Sequence, residues 1–368
     1  MEEYHMFENV YSLSTPVILT CLFSELVYCY FFNKKHFHLK DSFANMGTVI
    51  INQCMNLVVF FVSFKVYSAV GSLVPWKIEN STTNFIFALI GVDFLFYWFH
   101  RMGHTINILW ASHMPHHSSE ELNYTVALRS SITQRMTGIL FYWPLALVGF
   151  SAELIIAAIA LNLVMQFWQH TRSIRRLPRW FEAVFNSPTH HRIHHATNPK
   201  YLDKNFAGML VIWDKMFGTY VEETETAYYG VLRKNYSYCP NKIFFQYWSV
   251  LWNHTKMLKG LKAKIKYLLC PLNELNSRYP EFAPKNEIPY NKDELNRWGV
   301  TFLTVNVIGA LYVMSIIIAK DSPLHFHEKI FSSLGLWFVG MYWGRILDGK
   351  VKMFLKTPAK STSTIVGH

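Results

Sequence analysis

Histidine is concentrated in one part of this 368-residue chain, where ten of its 17 histidines lie between His100 and His195. Eight of the ten fall in three short motifs, HRMGH, HMPHH and HRIHH, with the spacings H-x3-H, H-x2-HH and H-x2-HH. Neutral imidazole is a ligand for iron, zinc and copper. One metal ion takes about three to six ligands, so eight or nine histidines predict a site for two metal ions. A structural metal site is the alternative interpretation.

Helical spacing predicts that the histidines of each motif converge. His100 and His104 lie one turn apart, and residues at i and i+4 share one face of a helix. HRIHH places its three histidines at i, i+3 and i+4, again on one face. Pro115 disfavours helical geometry at the residue before it, so we expect the second helix to begin near Pro115 with His113 at its edge. His170 follows an apolar segment into the same compartment, and the predicted ligands are therefore His100, His104, His113, His116, His117, His170, His191, His194 and His195.

Other residues are predicted to support these ligands rather than bind metal. Asp93 and Tyr97 lie on the same helical stripe as His100 and His104. Because a metal-bound histidine often donates its second N–H to a carboxylate, Asp93 is predicted to accept such a bond. The alternative is a hydrogen bond from Asp93 to a neighbouring helix. His190 is predicted to form a hydrogen bond rather than to bind metal. Hydrogen-bonding support, or the capping of turns, is predicted for Asp203, Asn205 and Asp214.

The elements that carry these motifs are predicted to be membrane helices. The chain is 51% hydrophobic and only 16% charged, whereas soluble domains have about 25% charged residues. Apolar segments cover about 16–32, 43–70, 85–99, 300–319 and 330–347, and 138–167 is predicted to form a helical hairpin. We expect an all-α, polytopic membrane bundle that carries a histidine-rich, two-metal helical cap on the cytoplasmic side.

The net charge of +11 is explained by a membrane rather than by nucleic acid, which is excluded as a partner. Lysine and arginine collect on cytoplasmic loops and beside anionic headgroups. Placing the basic segments 33–40 and 345–356 in the cytoplasm also places every histidine motif there. The 5 cysteines form no CxxC pair, which argues against a disulfide framework or a zinc ribbon. The start of the chain is acidic, unlike a signal peptide, so the first apolar segment is predicted to be a retained anchor.

Four regions follow from this reading: membrane helices in 1–82, the catalytic region in 83–225, an amphipathic helix and linker in 226–299, and membrane helices with a basic tail in 300–368. Within the third region, 252–269 is predicted to be one helix with an apolar stripe surrounded by lysines. Such a helix is typical of an anionic membrane face, and packing against the protein is the alternative. Its stripe consists of Leu258, Leu261, Ile265 and Leu268.

The histidine motifs, in this order on an apolar chain, resemble those of the fatty acid hydroxylase/sterol desaturase superfamily of membrane di-iron enzymes. Between about 93 and 223, the segments WFHRMGH, LWASHMPHHSSE, QFWQHT, NSPTHHRIHH and DKNFAGMLVIWDKMFGT resemble its alkylglycerol monooxygenase branch. Two positions differ, because Thr105 and Arg172 stand where that branch typically has glutamate.

The resemblance implies two iron ions, O2 as co-substrate and tetrahydrobiopterin as the source of electrons. One oxygen atom would be inserted at the ether-linked carbon of a glyceryl ether with a long alkyl chain, and the hemiacetal would collapse to a fatty aldehyde and a glycerol derivative. It also implies a multi-pass protein of the endoplasmic reticulum membrane with its active site facing the cytoplasm. Two alternatives stay open: another fatty acid or sterol hydroxylase or desaturase with a cytochrome-type donor, and a non-catalytic lipid-binding relative. The sequence leaves the oligomeric state open.

Overall fold

The fold is built from α-helices. The structure, a computed structural model, describes residues 5–232, 237–283, 290–291, 293–319 and 321–356. No strand occurs in these ranges, which hold only isolated β-bridges between loops. The α-helices there are α1 His5–Phe31, α2 Leu39–Gly71, α3 Thr82–Thr105, α4 Asn107–His117, α5 Tyr124–Ala127, α6 Ile132–Tyr142, α7 Pro144–Val148, α8 Ala152–Phe167, α9 Arg179–Glu182, α10 Pro188–His194, α11 Ile212–Met216, α12 Pro240–Met257, α13 Leu261–Leu268, α14 Leu275–Arg278, α15 Arg297–Ile318 and α16 Phe326–Leu347.

Several of these helices are long and apolar enough to cross a membrane. Among the described residues they are Ser14–Phe31 in α1, together with α3, α15 and α16. A fifth candidate is α2, whose halves Leu39–Asn56 and Val58–Gly71 meet at a bend of 44°. Large apolar side chains face outward on these helices, among them Phe23 and Phe331, as lipid exposure requires. The predicted all-α, polytopic membrane bundle is confirmed.

The apolar segment 138–167 lies in α6, the short α7 and α8, and the helical hairpin expected there stays a prediction. α7 ends at Gly149, whose φ of +110° is accessible to glycine and strained for other residues. Ser151 then caps α8 by accepting a hydrogen bond from the backbone N–H of Leu154. With 16 residues, α8 is shorter than the roughly 20 residues that a full span needs.

The prediction of one amphipathic helix over 252–269 is wrong. α12 ends at Met257 and α13 begins at Leu261, because Gly260 adopts a φ of +83° that breaks the helix. The break also divides the apolar stripe. Leu258 and Leu268 pack against the core formed by α2, α4, α12, α15 and α16, whereas Leu261 and Ile265 remain exposed.

The expected start of a helix at Pro115 is also wrong, because α4 runs from Asn107 through Pro115 to His117. Proline lacks the N–H that a helix interior uses, so a proline there normally costs stability. Here Pro115 lies in the last turn, and its carbonyl accepts hydrogen bonds from Arg129 Nε at 3.1 Å and Ser118 Oγ at 2.8 Å. Tertiary contacts at the end of α4 therefore outweigh the local preference.

A buried carboxylate attaches α1 to the loops around the histidines. Glu25 is 3% exposed and accepts hydrogen bonds from the backbone N–H of Tyr124 at 2.8 Å and from Ser173 Oγ at 3.0 Å. A third bond comes from the hydroxyl of Thr171, the residue after His170. The first membrane helix is thereby tied to the segment that positions His170.

Residues 284–289 of the predicted linker and 357–368 of the predicted basic tail lie outside the described residues. The division of the chain at 82, 225 and 299 stays a prediction.

Candidate metal centre

The nine histidines predicted as ligands converge in two neighbouring groups. Within each group the ligand nitrogens all lie within 4.8 Å of one another. Every member is buried. The first group is His100, His104, His113, His117 and His194, and the second is His116, His170, His191 and His195.

The first group joins the end of α3 to α4 and α10 through ring nitrogens. His113 Nε2 lies 3.0 Å from His100 Nε2 and 3.0 Å from His117 Nε2. His117 Nε2 is also 3.1 Å from His104 Nε2 and 3.2 Å from His194 Nε2. His117 therefore occupies the centre of the first group.

The second group joins α4 and α10 to the loop after α8. His170 Nε2 lies 3.1 Å from His116 Nε2 and 2.8 Å from His191 Nε2. His191 Nε2 is in turn 3.0 Å from His195 Nε2. His170 has no motif partner beside it in the sequence, yet it is a full member of this group.

Backbone carbonyls fix the tautomers of four of these rings. A carbonyl oxygen can only accept, so each Nδ1 that contacts one carries the proton. The Nε2 atoms of those rings then present lone pairs to the centre. The bonds run from His100 Nδ1 to Phe206 O (2.8 Å), from His116 Nδ1 to Arg129 O (3.1 Å), from His170 Nδ1 to Gln166 O (3.1 Å) and from His194 Nδ1 to Lys204 O (3.1 Å).

Lone pairs that face each other across about 3 Å repel unless a cation lies between them. Protonation of the rings does not remove this repulsion, because burial lowers the pKa of His116 to about 4. Burial, with the neighbouring histidines second, also holds the pKa values of His191 and His195 well below the ordinary value. The rings are therefore neutral at pH 7, and the arrangement fits bound metal.

Arg129 positions His116 in a way that the sequence did not suggest. Its side chain is fully buried and forms an ion pair with Asp41 at 2.8 Å, and it also contacts Asn45 Oδ1 and Tyr290 Oη. Its Nε bonds to the end of α4, while its backbone carbonyl accepts from His116 Nδ1. One residue thus fixes both the helix and the ring, and a backbone carbonyl leaves no signal in a sequence.

Asp93 does not accept a bond from a ligand histidine, so that prediction is wrong. Its carboxylate accepts hydrogen bonds from Asn162 Nδ2 at 2.8 Å, from Trp213 Nε1 at 2.9 Å and from the backbone N–H groups of residues 209 and 210. His100 lies seven residues further along α3, about 10.5 Å at helical rise, which is too far to reach. Asp93 instead joins α8 and the 206–213 loop to α3. The loop approaches the carboxylate closely at Gly208, because a Cβ added there would lie only 2.8 Å from Asp93 Oδ1.

Asp214 supports His100 through the backbone. Its carboxylate accepts from the backbone N–H of Phe206 and of Ala207, both at 2.8 Å, and from Thr219 Oγ1 at 2.7 Å. Phe206 is the residue whose carbonyl holds His100 Nδ1. Asp214 was predicted as a support, and the structure shows that it acts through this loop.

Tyr97 is buried beside the same loop and touches no ligand ring nitrogen among the described residues. Its hydroxyl contacts Thr219 Oγ1 at 2.9 Å and accepts a bond from Arg101 at 3.0 Å. It therefore belongs to the hydrogen-bond network around Asp214.

Asp203 and Asn205 lie on a strained turn beside the first group, with φ values of +55° and +54°. Asp203 Oδ1 is 4.0 Å from His104 Nδ1, which is too long for a hydrogen bond. Asn205 donates to the backbone carbonyls of His190 at 3.3 Å and Val221 at 3.0 Å. Asn205 thus supports α10 through its backbone.

His190 lies outside both groups. Its ring packs against the Tyr220 ring with centroids 5.6 Å apart. Within the described part of the chain its Nδ1 has no hydrogen-bond partner, so the side-chain support predicted for it is not formed by that atom.

Thr105 and Arg172, which depart from the resembled branch, both lie near the centre and point away from it. Thr105 donates its hydroxyl to the carbonyl one turn back on α3. Arg172 pairs with Glu121 and donates to the carbonyls of Leu122 at 3.2 Å and Lys35 at 3.3 Å. Burial, the largest cause, raises the pKa of Glu121 to about 7, although the Arg172 charge opposes the rise. Arg172 therefore joins loops rather than approaching the ring nitrogens.

An apolar cavity opens onto the histidines between α2, α3, α6 and α8. Its volume is about 270 Å³. Both groups reach it, the first through His100 and His113 and the second through His116, His170 and His191. Much of the wall is apolar, and includes Phe60, Phe96, Phe99, Ile139, Ile156 and Leu163.

Comparison with known proteins agrees with this site. Residues 85–219 match the family model described as Fatty acid hydroxylase. An alkylglycerol monooxygenase of Xenopus tropicalis is 41% identical over 194 residues, 53% of this chain and 42% of that protein. One of Homo sapiens is 36% identical over 291 residues, 76% of this chain and 64% of that protein. One of Danio rerio is 40% identical over 194 residues, again 53% of this chain and 42% of that protein.

The chain thus spans 42% to 64% of the length of these curated relatives. No solved structure matches it. All nine converging histidines fall within the matched residues 85–219. The similarity to the fatty acid hydroxylase family model therefore covers the segment that holds both histidine groups.

Proposed function

We propose that this protein is a membrane monooxygenase that hydroxylates the ether-linked carbon of alkylglycerols and so releases a fatty aldehyde. The observation that carries the proposal is the pair of buried histidine groups at the wall of an apolar cavity. The names of its relatives, alkylglycerol monooxygenase in each case, support the substrate class.

Two iron ions, one in each group, would supply the activation of O2 and the insertion of one oxygen atom into a C–H bond. The other oxygen atom would be reduced to water by two electrons from a reductant, proposed here to be tetrahydrobiopterin. The nine histidines would hold the ions, and the carbonyls of Phe206, Arg129, Gln166 and Lys204 would keep four of the rings in the ligand tautomer.

The cavity would place the substrate. Its apolar wall excludes water and accepts an alkyl chain, so the carbon to be hydroxylated would lie beside His100, His116 and His170. Once the ether carbon carries a hydroxyl group, the hemiacetal loses the glycerol oxygen as a leaving group and becomes an aldehyde. No further oxidation is needed for that collapse.

We further propose that the site faces the cytoplasm from the endoplasmic reticulum membrane. The basic segments 33–40 and 345–356 support this orientation, because lysine and arginine favour the cytoplasmic side. α3 then carries His100 and His104 to its cytoplasmic end.

A second candidate is a fatty acid or sterol hydroxylase or desaturase on the same histidine groups with a cytochrome-type donor. Thr105 and Arg172 favour it, because both replace a carboxylate expected near the metals in the alkylglycerol branch.

The test is to express the chain in membranes and supply a labelled alkylglycerol under air, with and without tetrahydrobiopterin. We expect aldehyde release that requires both O2 and the pterin, and that the His191→Ala variant lacks. Oxidation that proceeds only with a cytochrome donor would favour the second candidate. An iron-loaded protein that leaves the alkylglycerol intact with either donor would contradict the proposal.

A further inference from the structure

Lysines and exposed apolar side chains occur together on α12 and α13, two helices outside the candidate membrane spans. The segment 252–269 contains five lysines, and no aspartate or glutamate occurs between Glu225 and Glu274. Trp252 on α12 is 63% exposed, and the Lys256 ammonium lies over its ring, 4.7 Å from the centroid. Exposed tryptophan beside lysine is typical of a helix at a membrane surface.

α13 has one face on the protein and one face that is exposed. On the inner face Tyr267 is buried, and its hydroxyl contacts His254 Nδ1 of α12 at 2.6 Å. On the outer face Leu261, Ile265 and the C-cap residue Leu269 follow one another at i, i+4 and i+8, and they are 73%, 46% and 58% exposed. Packing against the protein therefore accounts for the inner face of α13 and not for its outer apolar stripe.

Lysines border this stripe on both sides. At about 100° per residue, Lys262 and Lys266 lie on one side of the stripe and Lys264 lies on the other. Lys262 and Lys266 are exposed, and Lys264 is half-buried. An apolar stripe between cations suits a lipid surface, because the apolar side chains can enter the acyl boundary while the ammonium groups stay among the phosphates.

Both ends of the α12–α13 segment are bonded to the ends of candidate spans. Before α12, the backbone N–H of Tyr238 donates to the carboxylate of Asp348, the C-cap residue of α16, at 2.8 Å. After α13, the carbonyl of Cys270 accepts from the backbone N–H of Asn107 at 3.1 Å, just beyond the end of α3. The segment is therefore held where α3 and α16 end, at the level of a membrane surface.

We propose that the exposed face of α13, together with the end of α12, lies in the headgroup layer and binds anionic phospholipids of the bilayer that the spans cross. Leu261, Ile265 and Leu269 enter the acyl boundary, and the lysines bind the anionic headgroups. The position beside the ends of α3 and α16 favours lipid over a soluble acidic protein, because the membrane surface is already adjacent. The contact does not depend on the reaction that the histidine groups catalyse.

Fluorescence at position 261 tests this contact. Leu261→Cys is labelled with an NBD fluorophore in the full chain, and labelled wild type corrects for the native cysteines. The protein is placed in nanodiscs of phosphatidylcholine alone or with about one third phosphatidylserine. We expect phosphatidylserine to reduce quenching by aqueous acrylamide at least about three-fold and to increase quenching by a nitroxide-labelled lipid, since each lysine near an anionic surface favours binding about five-fold. Acrylamide quenching that is equal in both nanodiscs would overturn the proposal.

Lysine variants then locate the charge. The pair Lys262→Gln and Lys266→Gln is expected to return acrylamide quenching in phosphatidylserine nanodiscs to within about two-fold of its value in phosphatidylcholine. The pair Lys65→Gln and Lys77→Gln is the matched control, because it removes the same charge from exposed lysines near the carboxyl end of α2. Size-exclusion profile and iron content check that each variant folds. The same loss of shielding in the control pair would overturn the assignment to α13.

Other occupants of the surface give different results. Shielding that is already present in lipid-free detergent and grows with protein concentration would indicate a second copy of the chain and overturn the proposal. Shielding by phosphatidylserine without quenching by the nitroxide-labelled lipid would also overturn it, because the label would then not touch lipid. Lipid contact in a protein that releases no aldehyde would support this inference and contradict only the proposed reaction.

Discussion

His116 and His170 face each other with their Nε2 atoms 3.1 Å apart, while each donates its Nδ1 proton to a backbone carbonyl. Two lone pairs therefore meet in a buried space, and a bound cation makes that contact favourable. In the other short contacts of both groups, Nε2 atoms likewise meet at 2.8 to 3.2 Å.

Loss of one ligand is expected to remove metal, whereas loss of the histidine beside it is not. His191→Ala deletes a proposed ligand of the second group, so we expect bound iron to fall by about one ion per chain. His190→Ala is the matched control, since the His190 ring lies outside both groups. Metal analysis of the two purified variants makes the comparison. Equal iron in both would contradict the assignment of His191 as a ligand.

The buried ion pair of Arg129 is expected to contribute strongly to stability. Arg129→Ala leaves the buried Asp41 carboxylate without a compensating charge, which typically costs about 3–5 kcal/mol. Arg278→Ala, in an exposed pair with Glu274, should change the free energy of unfolding by less than about 1 kcal/mol. Denaturant unfolding in detergent measures both. A cost for Arg129→Ala no larger than that of the control would show that the network around α4 is not stabilising.

Asp214 is expected to tune metal affinity without touching the metal. Asp214→Asn places an amide group against the N–H donors of Phe206 and Ala207 and so displaces the carbonyl that orients His100. Changes of this kind cost about 10–100-fold in metal affinity. Asp203→Asn should have a much smaller effect, because its carboxylate is half exposed and 4.0 Å from His104. Competition with a chelator ranks the two variants, and the reverse order would refute this role of Asp214.

The iron-free protein is expected to lose stability on acidification. Burial lowers the pKa of His116 to about 4 from 6.5, and those of His117, His170, His191 and His195 fall well below 6.5. Between the folded and unfolded pKa values the unfolded chain binds more protons, so stability rises with pH over that range. The free energy of unfolding is therefore highest above about pH 6.5 and decreases as the pH falls toward 4.

Thermal melting of the iron-free protein at pH 7, 6 and 5 checks this sign. A falling melting temperature is expected, and part of the fall should disappear in His191→Ala. A melting temperature that stays constant or rises on acidification would contradict the neutral state of these histidines.

Spacing along the sequence predicts which histidines converge but not which of the two groups each histidine joins. His113 and His117 share one group and His191 and His195 the other, since residues at i and i+4 differ by only about 40° around a helix. His116 and His194, the middle histidines of their motifs, cross to the opposite group. Each H-x2-HH motif therefore contributes to both groups, a division that depends on how α4 and α10 pack.

The supports of the centre were harder to predict because many of them are backbone atoms. Phe206 and Arg129 act through carbonyl groups, which every residue has, so nothing in the sequence distinguishes them. The sequence predicts a buried hydrogen-bond partner for Asp93. A histidine donor is expected by analogy with histidine–carboxylate pairs, but the distance along α3 rules that donor out, and backbone N–H groups bind the carboxylate instead. Local rules also failed at Pro115, where tertiary contacts decide the conformation.

The iron content of the purified wild-type chain measures directly whether the two histidine groups bind two metal ions. Two groups of ligand nitrogens, each within 4.8 Å, predict two iron ions per chain. Metal analysis of folded protein, with zinc measured in the same sample, should give two iron ions and little zinc. One ion or none per folded chain, or zinc in both positions, would contradict the account.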